Sequence, residues 1–207
     1  MSALEIVGVI VSALAIWLTA RRMMACWPVG LASVALYGWI FYDAKLYSDM
    51  LLQGAFAILQ VYGWWRWLAQ RESGNTPDGN ASGAVHVRVV PLRALLPGLG
   101  FAVVCSAALG FAMARYTDAA LPFVDASLTA FSLVAQYWTA RRYIASWWLW
   151  SVVNVVYVGM FLFKGLYPTA GLYALFIGLA VIGWRDWSRA MARDVDAAAQ
   201  REPASVA

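Results

Sequence analysis

The chain has 207 residues, of which 63% are hydrophobic and only 13% are charged, with a mean hydropathy of +0.66. A soluble domain of this length could not bury so much apolar surface in one core, so the composition excludes a soluble globular protein. The formal net charge of +4 comes from basic residues dispersed at the ends of apolar segments, which argues against nucleic-acid binding. The composition therefore predicts an all-α membrane protein.

Seven apolar segments follow one another along the chain, each close to the roughly 20 residues that a helix needs to cross a bilayer. They cover residues 4–20, 27–42, 50–67, 94–114, 119–138, 144–163 and 170–184. No Lys or Arg precedes the first segment, so it lacks the basic start of a cleaved signal peptide and is expected to remain. The sequence thus predicts seven transmembrane helices surrounded by a lipid bilayer.

Basic residues are distributed unequally between the two sides that these helices define. Twelve of the 15 Lys and Arg residues lie at the end of the first, third, fifth or seventh segment or in the sequence that follows it. Because cytoplasmic loops are enriched in Lys and Arg, this predicts an external N-terminus and a cytoplasmic C-terminus. Residues 72–85 are rich in Gly, Ser and Asn and are expected to form a flexible cytoplasmic linker.

The first and last thirds of the chain are similar at an offset of 120 residues. Over residues 17–67, 17 of 51 positions are identical to those 120 residues later, including the arginine pairs at 21–22 and 141–142 and Trp27 with Trp147. We interpret this as two parallel three-helix units joined by one linking helix, a 3+1+3 arrangement with a substrate cavity between the units. The predicted regions are 1–70 for the first unit, 71–93 for the cytoplasmic linker, 94–118 for the linking helix, 119–190 for the second unit and 191–207 for a cytoplasmic tail.

Polar and aromatic side chains recur at helical spacing inside the predicted spans. In the sixth span Trp147, Trp150, Asn154 and Tyr157 are separated by three, four and three residues, which places them on one face of a helix. An amide without a partner in hydrocarbon costs several kcal/mol, so this face is expected to point inward. Val34 occupies the position that corresponds to Asn154, so the predicted site is asymmetric.

Five other tryptophans lie near the ends of predicted spans and are interpreted as members of the interfacial aromatic belt. They are Trp64, Trp65, Trp67, Trp184 and Trp187.

The sequence contains none of the motifs of hydrolases, metalloproteases or nucleotide-binding loops, and Cys26 and Cys105 have no metal or redox spacing. We therefore predict that the chain is not an enzyme and holds no cofactor and no metal.

Three groups of residues carry a family resemblance. They are Trp147-x-x-Trp150-x-x-x-Asn154, Leu46-Tyr47 followed by Leu52-Gln53, and Leu166-Tyr167-Pro168-Thr169 with Gly183-Trp184. In these residues the chain resembles the nicotinamide riboside transporter family, PnuC, from Glu5 to Trp187. The resemblance implies a vitamin transporter of the bacterial inner membrane, with a fold similar to that of the SWEET sugar carriers. It also implies a homotrimer, uptake by facilitated diffusion, and trapping of the vitamin by a cytoplasmic kinase.

The resemblance further implies that Trp147, Trp150, Asn154 and Gln53 contact the vitamin. Helical faces in this sequence add Gln60, Gln136, Tyr37, Tyr157 and Tyr173. The pyridinium cation of nicotinamide riboside suits a tryptophan-lined cavity, because cation–π contacts contribute about 0.5–2 kcal/mol, while amides meet the carboxamide and hydroxyls. No carboxylate lies mid-helix beside these aromatic residues, so we expect no coupling to sodium or protons.

Other substrates and another class of protein fit the same residues. Related family members are similar but carry thiamine or riboflavin, and the sequence does not choose among the three vitamins, although we expect nicotinamide riboside first. From a different class, the chain fits a membrane receptor or assembly factor whose inner polar residues only hold helices together.

Overall fold

The computed structural model describes residues 3–43, 47–73, 86–117, 121–163, 165 and 167–201. These residues form seven α-helices and no strand, which confirms the predicted all-α class, and a single bridge of strand type joins Arg88 to Tyr143. The helices are α1 (Ala3–Ala20), α2 (Cys26–Asp43), α3 (Tyr47–Ser73), α4 (Leu92–Tyr116), α5 (Pro122–Ala140), α6 (Ala145–Phe163) and α7 (Tyr167–Arg201). Each helix coincides with one apolar segment.

Two of the helices in the described residues, α4 and α6, are both long enough and apolar enough by themselves to cross a membrane. The apolar part of α1, Ile6–Ala20, is shorter, and α3 and α7 continue into sequence that carries several charges. That the chain crosses the membrane seven times therefore stays a prediction.

Two helices run further than predicted. α3 ends at Ser73 instead of residue 67, and α7 ends at Arg201 instead of residue 184. Residues 185–201 are rich in Ala and Arg, which favour a helix, so the end of the apolar stretch does not end α7. The predicted linker thus begins inside α3, while its residues 74–85, and residues 202–207 of the predicted tail, lie outside the described residues.

The helices pack as two groups of three. α1, α2 and α3 pack against one another in sequence, and α5, α6 and α7 do the same. The groups meet where α3 packs on α5 and where α1 packs on α7. Within the described helices α4 packs on α5 alone, so it lies outside the two groups.

Both groups turn in the same way after their first helix. α1 and α5 each end in a Schellman motif whose key residue has a left-handed backbone, with φ of 57° at Arg22 and 62° at Arg142. The N–H of each arginine donates to a threonine carbonyl three residues earlier, at 3.0 Å to Thr19 and 2.9 Å to Thr139. We call the end of the bundle that holds these two turns the arginine-rich end.

The core of the arginine-rich end contains four buried tryptophans, Trp27, Trp67, Trp147 and Trp187, which we call the tryptophan cluster. Trp27 meets Trp67 edge to face with 5.1 Å between ring centroids, and Trp147 meets Trp187 in the same way at 5.4 Å. Trp67 and Trp187 lie 6.4 Å apart and connect the two groups of helices. Aromatic packing therefore closes this end of the bundle.

Two glycines allow the tryptophan cluster to pack against α3 and α7. A Cβ atom at Gly63 would overlap the ring of Trp27, and a Cβ atom at Gly183 would lie 2.5 Å from the ring of Trp147. Real Cβ atoms do not approach neighbours so closely, and the rings are enclosed, so neither position accommodates a larger residue without repacking.

Trp67 and Trp187 also satisfy carbonyl groups at the ends of two helices. Trp67 Nε1 donates to the Ala140 carbonyl at 3.2 Å, and Trp187 Nε1 donates to the Thr19 carbonyl at the same distance. The last carbonyls of a helix have no partner within it, so each indole stabilises a helix end of the opposite group. Both side chains are 0% exposed, so their interpretation as belt residues is wrong, whereas Trp65 is 63% exposed.

Candidate binding site

The predicted residues of α6 nearest the arginine-rich end take different positions. Trp147 belongs to the tryptophan cluster, where its Nε1 is enclosed and has no acceptor in the described part of the chain. Trp150, one turn further on, is half-buried and donates from Nε1 to Thr139 Oγ1 of α5 at 3.3 Å. Thr139 Oγ1 in turn donates to the Ala135 carbonyl at 2.9 Å. The Trp150 ring is therefore held between α6 and α5.

Two predicted amides, Asn154 on α6 and Gln136 on α5, are almost fully enclosed. Asn154 is 6% and Gln136 is 9% exposed, and neither side chain has a hydrogen-bond partner among the described residues. The nitrogen and oxygen atoms of these two amides are not among the fully enclosed polar atoms that lack a partner. Both amides therefore keep a small accessible surface. A buried amide that the protein leaves unsatisfied costs about 1–3 kcal/mol, which water or a ligand can offset.

The amides and the ring belong to one region. Asn154 lies one turn from Trp150 on the same helix face, and Gln136 lies one turn from Thr139, the partner of Trp150. A stacking surface and two amides that can both donate and accept thus converge between α5 and α6.

The predicted tyrosines divide between the two groups of helices. Tyr157 of α6 and Tyr173 of α7 pack with 4.4 Å between ring centroids, and Phe161 completes this aromatic group at 5.9 Å and 5.2 Å from them. Tyr37 lies on α2 and packs with Phe41 at 6.0 Å. Tyr173 interacts electrostatically with Tyr37 as well as with Tyr157, so the structure brings the three tyrosines near one another across the two groups of helices.

The two glutamines predicted on α3 face α2. The Gln60 amide lies so close to Gly30 that a Cβ atom there would come within 2.5 Å of its Nε2, and Gln53 lies on the same side of α3. Among the described residues no hydrogen bond joins either glutamine to Trp150, whose indole donates to Thr139. The nine predicted residues thus lie on both groups of helices, and the Trp150 region contains the enclosed amides of Asn154 and Gln136.

Thr139 is a contact of Trp150 that we did not predict. It lies three residues after the predicted site residue Gln136 and therefore on the same face of α5, so the spacing itself contained the signal.

A surface groove of about 430 Å³ also lies between α5 and α6. Its lining residues are Phe123, Val124, Ser127, Leu128, Phe131, Leu149, Val152, Val153 and Val156. None of the predicted site residues belongs to it, and the Ser127 hydroxyl donates to the carbonyl of Phe123 at 2.7 Å. The groove is therefore apolar and distinct from the Trp150 region.

The side chains of the Trp150 region are suited to reversible binding. Trp150, Asn154 and Gln136 are neutral at all ordinary pH values, so they stack and form hydrogen bonds but do not transfer protons. Within the described ranges no group of three or more His, Cys, Asp or Glu side chains could hold a metal ion.

Comparison with known families gives one match over most of the chain. The family described as nicotinamide mononucleotide transporter matches residues 2–189. Nicotinamide riboside transporter PnuC of Escherichia coli strain K12 is 29% identical over 204 residues, covering 90% of this chain and 85% of the relative. Riboflavin/roseoflavin transporter RibM of Streptomyces davaonensis is 27% identical over 192 residues, covering 92% of this chain and 86% of the relative.

A solved structure has a similar fold. The crystal structure of the vitamin B3 transporter PnuC superposes with a TM-score of 0.71 and 24% sequence identity. The superposition covers 92% of this chain and 82% of the other, so the arrangement of helices is similar along nearly its whole length.

Proposed function

Because the chain belongs to the nicotinamide mononucleotide transporter family, we propose that it carries nicotinamide riboside across a bacterial inner membrane by facilitated diffusion. The family match confirms the resemblance seen in the sequence. It also confirms two coarser predictions: the chain is a multi-pass membrane transporter of the PnuC type, and it is not an enzyme.

The enclosed amides of Asn154 and Gln136 beside Trp150 are the observation that supports a substrate site here. The pyridinium ring of nicotinamide riboside stacks on the indole of Trp150, where a cation–π contact contributes about 0.5–2 kcal/mol. The amides bind the carboxamide and the ribose hydroxyls, which supply the hydrogen bonds that the protein does not. Tyr157 continues the face of Asn154 one turn further along α6 and packs on Tyr173. Gln53, Gln60 and Tyr37 belong to the other group of helices, so rocking of that group changes their distance from Trp150.

The tryptophan cluster is the closed gate in this proposal. Trp67 and Trp187 lie 6.4 Å apart across the two groups, so release of the substrate at the arginine-rich end requires their separation. Rocking of one group against the other then opens the bundle to each side in turn.

The architecture that we propose is a parallel 3+1+3 repeat with seven crossings, an external N-terminus and a cytoplasmic C-terminus. The matching turns at Arg22 and Arg142 and the matching indole hydrogen bonds of Trp67 and Trp187 support the repeat. A green fluorescent protein fused after residue 207 should fluoresce, because it folds in the cytoplasm, whereas alkaline phosphatase at the same place should be inactive. The reverse pattern would invert the orientation. A homotrimer is part of this proposal, and light scattering of the purified protein measures it.

Uptake into liposomes tests the proposed function directly. Purified protein should admit labelled nicotinamide riboside until its concentration is equal on both sides, and a kinase with ATP inside should drive further accumulation. Accumulation that follows a proton or sodium gradient would contradict facilitated diffusion. Binding of the vitamin without any uptake would favour a receptor or assembly factor.

Riboflavin is the second candidate substrate because a relative that covers 92% of this chain is a riboflavin/roseoflavin transporter. Thiamine remains a third, since its thiazolium cation suits the same indole ring. Calorimetric titration of the purified protein with each vitamin distinguishes them. Saturable heat from riboflavin or thiamine alone would overturn nicotinamide riboside as the substrate.

A further inference from the structure

Three arginines meet at the arginine-rich end, where α3, the turn between α5 and α6, and the segment before α4 come together. The Arg142 carbonyl accepts a hydrogen bond from the Arg88 N–H at 2.9 Å, which holds the segment against the turn. Arg66 on α3 lies close enough to Arg142 for their positive charges to interact.

Arg142 is the enclosed member of this group, with only 4% of its surface exposed. Burial, and then the positive charges of Arg88 and Arg66, lower the pKa of Arg142 to about 10, so its guanidinium still carries its charge at neutral pH. No carboxylate pairs with Arg142 in the ranges that the structure describes. A buried charge without a counter-charge is unfavourable, so an anion bound at this position would stabilise the protein.

The neighbouring polar groups are engaged elsewhere. Asp194, the carboxylate that approaches the segment before α4, lies 3.0 Å from His86. Arg141, beside Arg142 in the turn, donates to the Tyr62 hydroxyl at 3.4 Å, and this contact raises the pKa of Arg141. Arg141 is thus satisfied by the protein, whereas Arg142 is not.

The corresponding place in the first group of helices contains the missing acid. Asp186 stands 120 residues after Arg66 and lies 3.9 Å from Arg21 and 3.7 Å from Arg189. The chain itself therefore supplies a carboxylate beside the turn at Arg22. At the second turn an arginine replaces that carboxylate, and Arg88 adds a further positive charge.

We propose that Arg66, Arg88 and Arg142 form a binding site for an oxyanion of the phosphate class. Guanidinium groups bind phosphate oxygens through paired, charge-assisted hydrogen bonds, and three of them match the charge of a phosphate better than that of a single halide. The phosphate is either the headgroup of an anionic phospholipid or a free phosphate, and both present the same oxygens. This site is independent of vitamin transport, so either proposal can fail without the other.

The test uses the purified full-length protein in an uncharged detergent, without phosphate or sulfate. One arm adds inorganic phosphate and the other adds short-chain phosphatidylglycerol, with short-chain phosphatidylcholine and sodium chloride as controls. We expect the unfolding temperature to rise with a phosphate-class probe, because a ligand that binds only the folded state stabilises it. A response to both probes identifies free phosphate as sufficient, and a response to phosphatidylglycerol alone identifies a lipid headgroup.

Three variants decide whether the response comes from this site. Arg66→Asp supplies an internal carboxylate as in the first group, and Arg142→Gly suits the left-handed backbone while removing the charge. Each should weaken the probe's affinity roughly tenfold or more, because charge-assisted hydrogen bonds are lost. Arg22→Gly makes the same backbone change at the matching turn and should leave the affinity unchanged.

Three outcomes overturn the proposal. The first is a wild-type protein that responds to neither probe, and the second is an equal loss of affinity in Arg142→Gly and Arg22→Gly. The third is a rise in unfolding temperature with the probes that is seen only in the double variant Glu72→Gln, Asp78→Asn and not in the wild type. That result would mean that a carboxylate of the chain fills the site.

Discussion

At the arginine-rich end the two groups of helices place the same residue types in the same contacts, whereas midway along the helices they do not. Trp27, Gly63 and Trp67 in the first group correspond to Trp147, Gly183 and Trp187 in the second. Both sets pack a ring over a glycine and a second ring edge to face.

Midway along the helices the corresponding positions differ in chemistry. Gly30 corresponds to Trp150, and Val34 corresponds to Asn154. Gln60, which lies against Gly30, corresponds to Ala180. Packing that closes the bundle is therefore duplicated, while Trp150 and Asn154 have no counterpart of the same residue type in the first group. The packing at the arginine-rich end is thus similar in the two groups, whereas the side chains midway along the helices differ. Such a difference is suited to a small ligand that has no symmetry of its own.

Removing one indole of the tryptophan cluster should have the largest effect. Trp67→Ala should lower the free energy of unfolding by about 3–5 kcal/mol, because it leaves a cavity and an unsatisfied helix end. Trp65→Ala, two residues earlier and 63% exposed, should change it by less than about 0.5 kcal/mol. Thermal unfolding in detergent measures both, and similar losses would mean that the cluster does not stabilise the bundle.

Adding one methyl group at either glycine tests whether the two contacts are equivalent. Gly63→Ala and Gly183→Ala should each cost about 1–3 kcal/mol of unfolding free energy, because the enclosed rings cannot move aside freely. Gly54→Ala in α3 and Gly178→Ala in α7 meet nothing within 4 Å, so these controls should be neutral or stabilising. If only one of the variants Gly63→Ala and Gly183→Ala is less stable than the wild type, the two packing contacts differ in strength.

Making the second group resemble the first midway along α6 should weaken binding and spare stability. Asn154→Val introduces the residue that α2 has at position 34, and we expect the affinity for nicotinamide riboside to fall about tenfold, or about 1.4 kcal/mol. The cause is loss of one amide from the Trp150 region. Calorimetric titration measures the affinity, with Val34→Ala as the matched control. An unchanged affinity in Asn154→Val would remove this amide from the site.

Replacing an indole by a phenyl ring should give the smallest effect. Trp67→Phe and Trp187→Phe keep an aromatic ring but remove the donor to a helix-end carbonyl, at an expected cost of about 0.5–1.5 kcal/mol each. Trp27→Phe is the control, because Trp27 Nε1 donates to no group in the described residues. Equal losses in all three variants would assign the effect to ring size and not to the hydrogen bonds.

Much of the helical frame follows from the sequence. Apolar segments of suitable length predicted each helix, and the offset of 120 residues predicted that the turns at Arg22 and Arg142 would share a structure. Helix ends were predicted less well because hydropathy marks where apolar sequence stops, and α7 continues through residues that are polar but favour a helix.

The surroundings of individual side chains were harder to predict. Trp67 and Trp65 are both apolar residues near a helix end, and only tertiary packing makes one enclosed and the other exposed. Lipid and protein interior are similarly apolar, so composition does not distinguish them. Helical spacing placed Asn154 and Trp150 on one face, but which neighbouring helix they meet depends on contacts distant in sequence, such as that between Trp150 and Thr139.

The edge-to-face indole pairs at 5.1 Å and 5.4 Å are also coupled chromophores. Rigid rings at this separation produce strong near-ultraviolet circular dichroism, and the 6.4 Å approach of Trp67 to Trp187 joins the two pairs into one optical unit. Opening of the bundle would divide this unit and change its spectrum. The tryptophan cluster is therefore an intrinsic optical reporter of the proposed gate, one that needs no attached label.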